Sequence, residues 1–435
     1  MTHRAPDAPG RETRPRGDVI ASAQARPAVP THEIPSRWSA LYPLRLAGFR
    51  YLFVAGSLWY FGRWMETVVL GWLVLQITNS PFHVAMVAFF RSAPAFFLAL
   101  LSGPIADRLS RRRLLIATQV LNFTVSLGVL LVVWLGLVEF WHIAIASTLM
   151  GVSWALDWPN RRAFVMDVVG PDRIHGSIVL DTMASNISRI AGPLTGGGVI
   201  ALIGVTGSYW LLAGAYLTSV LSLWRVPRVK EARGEREPIG RGLATGFAYA
   251  RRSEAIVGVL IVTVVMNVGI FQHNQIFAVF ARDVLHVGPF LLGLLAAADG
   301  IGSMIGALIL GFGLRDRRRG LVFLGGSLVK AALIGLFALS PWYPVAFILL
   351  LLAGVAHTGF SAYQTLIPLV LATPEMRGRM MALIALAIGT TPIGAFTLGT
   401  LASATSAPVA VSAMAAASVA CLVLVWFRLP ELGRV

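Results

Sequence analysis

Arg63 and Glu66 are the only charged residues between Tyr51 and Leu75. Three positions apart, they share one face of a helix and can pair. A carboxyl in a poorly hydrated place holds its proton more tightly, and a nearby guanidinium loosens it. Moving that arginine, or engaging it with another anion, would then take up or release a proton. The competing reading is a structural ion pair that pins the helix to its neighbours. Asp181 and Arg189, eight apart, again share a helix face, with Asp181 nearer the end of its apolar run, where solvent could reach it. Asp299 opens the glycine-rich run Asp299-Gly300-Ile301-Gly302-x3-Gly306, and reads as a coupling residue or as a polar contact between closely packed helices. Proton coupling is thus assigned to Glu66, Asp181 and Asp299. Lys330 is expected to be structural, reaching a neighbouring acid. Arg91 fits a cavity or a peripheral place equally, and Asp157, beside Trp158-Pro159, is expected as a helix-end cap or a loop partner.

Uncharged polar residues form a second group. Asn267 is followed by Gln272-His273-Asn274-Gln275. Four consecutive polar side chains point all round a helix, so some must face water or protein, which suggests an interrupted, gating helix. Asn267, Asn274 and Gln275 are placed at a substrate cavity with Arg63, Glu66 and Arg189. So are Tyr363 and Gln364, in Gly359-Phe360-Ser361-Ala362-Tyr363-Gln364. His273 titrates near neutral pH but, as a lone histidine, is read as a hydrogen-bonding residue. The eight histidines are scattered without ligand spacing, and Cys421 is the single cysteine. No metal, cofactor or internal disulfide is implied, and no nucleophile stands beside a base, so an enzyme is not expected.

What must hold these side chains is a membrane bundle. Charged residues are 13% of the 435-residue chain and hydrophobic residues 56%. Soluble domains carry about a quarter charged residues, so lipid is the solvent this surface suits. A crossing needs about 20 apolar residues. Twelve are expected, at 50–76, 83–105, 114–137, 141–158, 176–203, 209–225, 255–281, 289–313, 320–340, 344–371, 379–402 and 408–428. The expected fold is all-α, twelve transmembrane helices in two pseudo-symmetric six-helix bundles. A disordered basic cytoplasmic tail (1–45) leads into the first bundle (46–225), a cytoplasmic linker (226–254), the second bundle (255–428) and a short tail (429–435).

With the N-terminus inside, 31 of the 36 Lys and Arg residues fall in the tails or inside loops, one (Arg282) falls outside, and four (Arg63, Arg91, Arg189, Lys330) lie within spans. That asymmetry orients the chain in a cytoplasmic membrane with both termini cytoplasmic. It also assigns the net charge of +16 to an anionic inner leaflet rather than to nucleic acid. Two signatures recur across the linker. Gly103-x3-Asp107-Arg108-x2-Arg111-Arg112-Arg113 recurs as Gly311-x4-Asp316-Arg317-Arg318-Arg319, and Pro171-Asp172-Arg173-x2-Gly176 as Pro374-Glu375-x-Arg377-Gly378. The aspartates are 209 apart and the prolines 203, which suggests a duplicated six-helix unit. Secondary transporters commonly have such halves, with the substrate site between them.

The stretch Gly103–Arg113 resembles the loop signature of the major facilitator superfamily. Leu156-Asp157-Trp158-Pro159-Asn160-Arg161-Arg162-Ala163-Phe164-Val165, continuing through Pro171-Asp172 to Asn186-x2-Arg189-x2-Gly192-Pro193, resembles the branch holding the enterobactin exporter and the macrolide and multidrug efflux proteins. The likeness covers about residues 45–430. It implies a proton-driven exporter of a small organic molecule, such as a siderophore, natural product or drug, working by alternating access as a monomer. It adds Asn186 to the cavity. It also makes Gly103, Asp107, Arg108 and Arg112 a conformational latch, in which Asp107 meets the N-terminal end of the eleventh helix and the arginines pair with inside acids. Where the branch usually has a small residue and Gln, Gln, and Asn, this chain has Arg63 and Glu66, Arg91, and Asp181, so the resemblance does not carry the common branch substrates over to it. Proton-coupled uptake, or a sensor with a transporter fold, is the alternative.

Overall fold

The computed structural model describes residues 1–2, 39–108, 110–170, 173–229, 239–313 and 318–435, apart from the side chains of 39–40, 99–108, 175, 239–243 and 312–313. Among these there is no strand. The first four helices are α1 (Ala47–Thr78), α2 (Pro81–Arg108), α3 (Arg111–Trp134) and α4 (Phe140–Val169). After them α5 (Ile174–Arg225) makes two passes, broken where Gly204 takes φ 75°, a backbone that side chains resist. The short α6 (Ile239–Ala250) precedes a seventh pass that begins as α7 (Glu254–Val265), continues through α8 (Phe277–Val279) and ends in a π-helical turn, Phe280–Val284. The chain continues with α9 (Pro289–Gly313), α10 (Arg319–Ala338), α11 (Tyr343–Leu371), α12 (Arg377–Ile388), α13 (Thr391–Ala404), α14 (Ala407–Arg428) and α15 (Pro430–Arg434).

Among the described residues, nine stretches are long and apolar enough to cross a membrane. One of them, Gly176–Arg225, is 50 residues long and so supplies two passes. α1 and α4, of 32 and 30 residues, are long enough but less apolar, because they carry Arg63 and Glu66, and Asp157 and Arg161. Together these are twelve passes, six on each side of α6, as the hydropathy predicts.

Three boundaries differ from expectation. Ser39–Arg45, inside the expected tail, is a 3-10 helix, while most of that tail lies outside the described residues. The expected linker contains α6. And α4 runs eleven residues past its expected end at 158, through Pro159, to Val169. Arg161 therefore belongs to a helix and not to a loop. An ion pair to Asp157 one turn back, with Arg161 only 2% exposed, holds that extension together.

Contacts between the halves are exchanged by the internal repeat. α5 packs on α9 and α2 on α13, which pairs the fifth pass with the eighth and the second with the eleventh. Adding six to one pair returns the other. At the end of the bundle remote from the chain termini, here the distal end, the approach is close. A Cβ on Gly293 would lie 2.5 Å from the Pro193 carbonyl oxygen, and one on Gly197 2.3 Å from that of Pro289. Arg282 crosses between the halves there, donating to Leu75 O at 3.1 Å and to Asn79 Oδ1 at 2.8 Å, at the C-terminus of α1 where a cation is favoured. One continuous apolar core runs through both halves. At the proximal end two smaller cores each belong to one half: Phe49, Leu52, Leu115, Phe164 and Leu223 in the first, Ile256, Met380 and Leu383 in the second. Among the described residues the halves are thus joined at mid-depth and distally, and their two proximal cores are separate.

Gly293→Leu therefore holds the distal end open. Nitroxides at Leu137 and Trp342, on distal loops of the two halves, should show a longer distance distribution by electron-electron double resonance than in the unsubstituted protein.

Candidate functional site

Polar side chains buried at mid-depth form three networks. The first joins the halves. Asp299 of α9 bonds Arg189 of α5 through one carboxylate oxygen and the Lys330 Nζ of α10 through the other, the latter at 2.6 Å. Asp299 and Lys330 are 2% and 0% exposed. The glycines after Asp299 make this reach possible. A Cβ on Gly302 would lie 1.9 Å from the Leu351 carbonyl oxygen of α11, and one on Gly300 3.2 Å from that of Arg189. With hydrogen there instead, α9 presses against both helices and presents the carboxylate to both cations. The Arg189 guanidinium also lies 5.3 Å over the Trp64 ring, and Lys330 Nζ 5.6 Å from the Phe271 ring. Lys330 thus reaches a neighbouring acid, as its position in the sequence predicts.

The second network departs from expectation. Glu66, fully buried in α1, pairs with Arg91 of α2 at 3.1 Å and not with Arg63. Arg91 comes across from a neighbouring helix and can also donate to the Arg63 carbonyl at 3.2 Å and the Thr67 hydroxyl at 3.4 Å. Arg63 is turned away, its guanidinium 4.7 Å over the Trp154 ring of α4. Same-helix spacing permitted the Arg63–Glu66 pair; the second helix offered the carboxylate a partner with more to bond.

A third network lies in the first half. Asp157 is fully buried and accepts from Thr118 Oγ1 at 2.8 Å, Gln119 Nε2 at 2.7 Å and Arg161 Nε at 2.8 Å. It is therefore neither a helix-end cap nor a loop partner. Asp181 accepts from the Tyr60 hydroxyl at 3.0 Å, while Arg189, on the same helix, is engaged by the other half.

The polar residues of the seventh pass sit where its winding changes, from π-helical Met266–Ile270 to 3-10 Phe271–Ile276. The change turns Gln272 and His273 into the protein and Asn274 and Gln275 into a pocket between the halves. Trp64, Thr67 and Gly71 of α1, Pro193 of α5 and Leu292 of α9 also line it, in a wall that is mostly apolar. The interrupted helix expected from the polar run is present. The other cavity candidates are dispersed. Asn267 donates to Thr263 O at 2.9 Å and accepts from Thr391 Oγ1 at 3.3 Å, tying the π-turn to α13. Gln364 donates to Thr263 Oγ1 at 3.3 Å, Tyr363 is buried in the main core, and Asn186 is exposed on α5. Sequence reasoning missed Trp64, Thr67 and Trp154; a tryptophan beside or facing an intramembrane arginine was the available signal, since the pair stacks.

Of the expected latch, the side chains of Gly103, Asp107 and Arg108 lie outside the described residues, as does Asp316-Arg317 of its repeat. Among the described residues Arg112 does not meet an acid. It donates to Trp224 O at 2.7 Å and Val226 O at 2.9 Å, capping the C-terminal end of α5, where unpaired carbonyls attract a cation. Its neighbour Arg111 pairs with Asp167 at 2.6 Å. In the repeat of the second signature, exposed Glu375 is held below the usual carboxylate range by hydrogen bonds from its own backbone and from Thr373.

Removing the carboxylate between two cations leaves buried Lys330 uncompensated. Asp299→Asn should therefore lower stability by about 3–5 kcal/mol. Lys330→Met should lower it by less, because Asp299 keeps Arg189. Thermal unfolding of both variants in one detergent checks the order.

The sequence profile of the transmembrane secretion effectors matches residues 38–434. The chain is 24% identical to the multidrug efflux pump Tap of Mycolicibacterium fortuitum, over 79% of this chain and 86% of that one. It is 25% identical to the enterobactin exporter of Shigella dysenteriae, over 77% and 80%. Its fold is similar to that of a bacterial homologue of the human lysosomal transporter Spinster, with TM-score 0.65 and 16% identity over 92% of this chain and 98% of that one. A twelve-pass bundle with a pocket between its halves and a family profile along its length identify this chain as a member of the transmembrane secretion effector family of the major facilitator superfamily, a multi-pass membrane exporter and not an enzyme.

Proposed function

We propose that this chain exports a small organic molecule by proton antiport and alternating access, with Glu66 carrying the proton. The observation that supports this most directly is a fully buried carboxylate at the middle of α1, held by an arginine of another helix, beside a pocket between the halves. Protonation removes the Glu66–Arg91 attraction and frees the helix pair to shift. In a low-dielectric site that attraction is far stronger than in water. Asp299 gives the same kind of control across the halves, because its carboxylate is what holds Arg189 to α9 and α10. Asp181, bonded to Tyr60 and nearer the proximal end, lies on the path by which a proton reaches this region from the cytoplasm.

Likeness to an efflux pump and to a siderophore exporter favours outward movement of natural products or drugs. The basic loops set the protein in the cytoplasmic membrane with both termini inside, against an anionic leaflet, and it works as a monomer. The proximal end then faces the cytoplasm, and the closed distal end faces out. Five intramembrane cations, Arg63, Arg91, Arg161, Arg189 and Lys330, share four carboxylates, Glu66, Asp157, Asp181 and Asp299, so the solute is anionic or zwitterionic rather than a purely lipophilic cation.

Proteoliposomes test the coupling. Glu66→Gln should abolish uphill accumulation driven by an imposed pH gradient, while exchange of labelled for unlabelled solute continues near the unsubstituted rate. Driven accumulation that survives intact shows that Glu66 is not the carrier.

A further inference from the structure

Two arginines at mid-depth lie over tryptophan rings, Arg63 on Trp154 and Arg189 on Trp64. They differ in one respect. Arg189 bonds the Asp299 carboxylate, whereas among the described residues Arg63 has no ion-pair partner, and no hydrogen bond uses its guanidinium. Glu66, three residues on, is taken by Arg91, so two cations share one carboxylate around this point. Arg63 is half-buried at the midpoint of the 32-residue α1. A guanidinium left in a low-dielectric place without an anion is unfavourable by several kcal/mol. The aromatic face holds it flat and leaves its edge donors free, in the fork geometry that a carboxylate fills with two parallel hydrogen bonds.

We infer that Arg63, held on Trp154, is the anchor for the carboxylate of an organic substrate, the ligand taking at Arg63 the place Asp299 holds at Arg189. This deepens the transport reading above by naming the group that is recognised and the residue that recognises it. Arg91, bonded to Glu66 and to the Arg63 carbonyl, adds to the positive field. The site therefore discriminates against organic cations of the same shape.

The test uses the full chain in lipid nanodiscs and two probes of one skeleton, radiolabelled 2-hydroxybenzoate and 2-hydroxybenzylamine, with saturable binding as the readout. The unsubstituted protein should bind the carboxylate and not the amine. Arg63→Gln should weaken carboxylate binding roughly 10- to 100-fold, the loss of one charge-assisted pair. Arg63→Lys should keep part of the affinity, having the charge without the fork, and Trp154→Leu should weaken binding severalfold. Each variant is first required to match the unsubstituted thermal unfolding midpoint and elution volume; Arg63→Lys and Trp154→Leu serve if Arg63→Gln does not fold. Equal carboxylate binding by the folded variants overturns the inference, as does binding of the amine alone or the absence of saturable carboxylate binding. Because no proton gradient is used, Arg63-dependent binding stands even where Glu66→Gln leaves driven transport intact, and the two readings fail separately.

Discussion

A charge removed from water must find its counter-charge close by, and the middle of this bundle is arranged around that requirement. The Arg189–Asp299–Lys330 triad is where it bears on the whole molecule, because one cation belongs to the first half and the rest to the second. Any motion that parts the halves at mid-depth must give Asp299 and Arg189 other partners: a proton for the one, a different anion for the other. The same atoms that stabilise the observed arrangement thus set the terms on which it changes. The glycines of α9 are part of that device, since a single methyl on Gly302 would collide with the backbone of α11 and carry the carboxylate out of reach.

Closure at the distal end has a different physical basis. There the halves meet by close backbone approach at Gly197 and Gly293 and by Arg282 bonding the C-terminus of α1, with little charge to balance. At the proximal end each half has its own small apolar core. Under the proposed alternating access, a joint fastened distally and at mid-depth over proximal ends that each have their own core lets the proximal ends part. The seventh pass adds a local hinge, where π- and 3-10 winding replaces regular helix just where Asn274 and Gln275 turn to the pocket. Such irregular winding marks a helix whose backbone hydrogen bonds are already rearranged, so further bending there needs little additional energy.

Much was legible from one sequence. Twelve passes, their order, the break at Gly204 and the duplication follow from apolar run lengths and from where lysine and arginine recur, because a bilayer imposes one length and one charge bias on every span. The special status of Glu66, Arg189, Asp299 and Lys330 was legible for the same reason: ionised side chains are too unfavourable in lipid to be there by default.

Who pairs with whom was not legible. Spacing along a helix paired Arg63 with Glu66, yet the carboxylate is held by Arg91, some 25 residues on in another helix, and Arg63 rests on a tryptophan of a third. Arg161, counted among the loop arginines, is buried against Asp157 because α4 runs on past Pro159. Sequence alone determined which residues had to be accounted for in the membrane, since that depends only on side-chain chemistry and on the length of chain around it. Tertiary structure alone decided their partners. A buried ion bonds whatever counter-charge lies within about 3 Å, and for Glu66 and Asp299 that distance is set between helices and not along them.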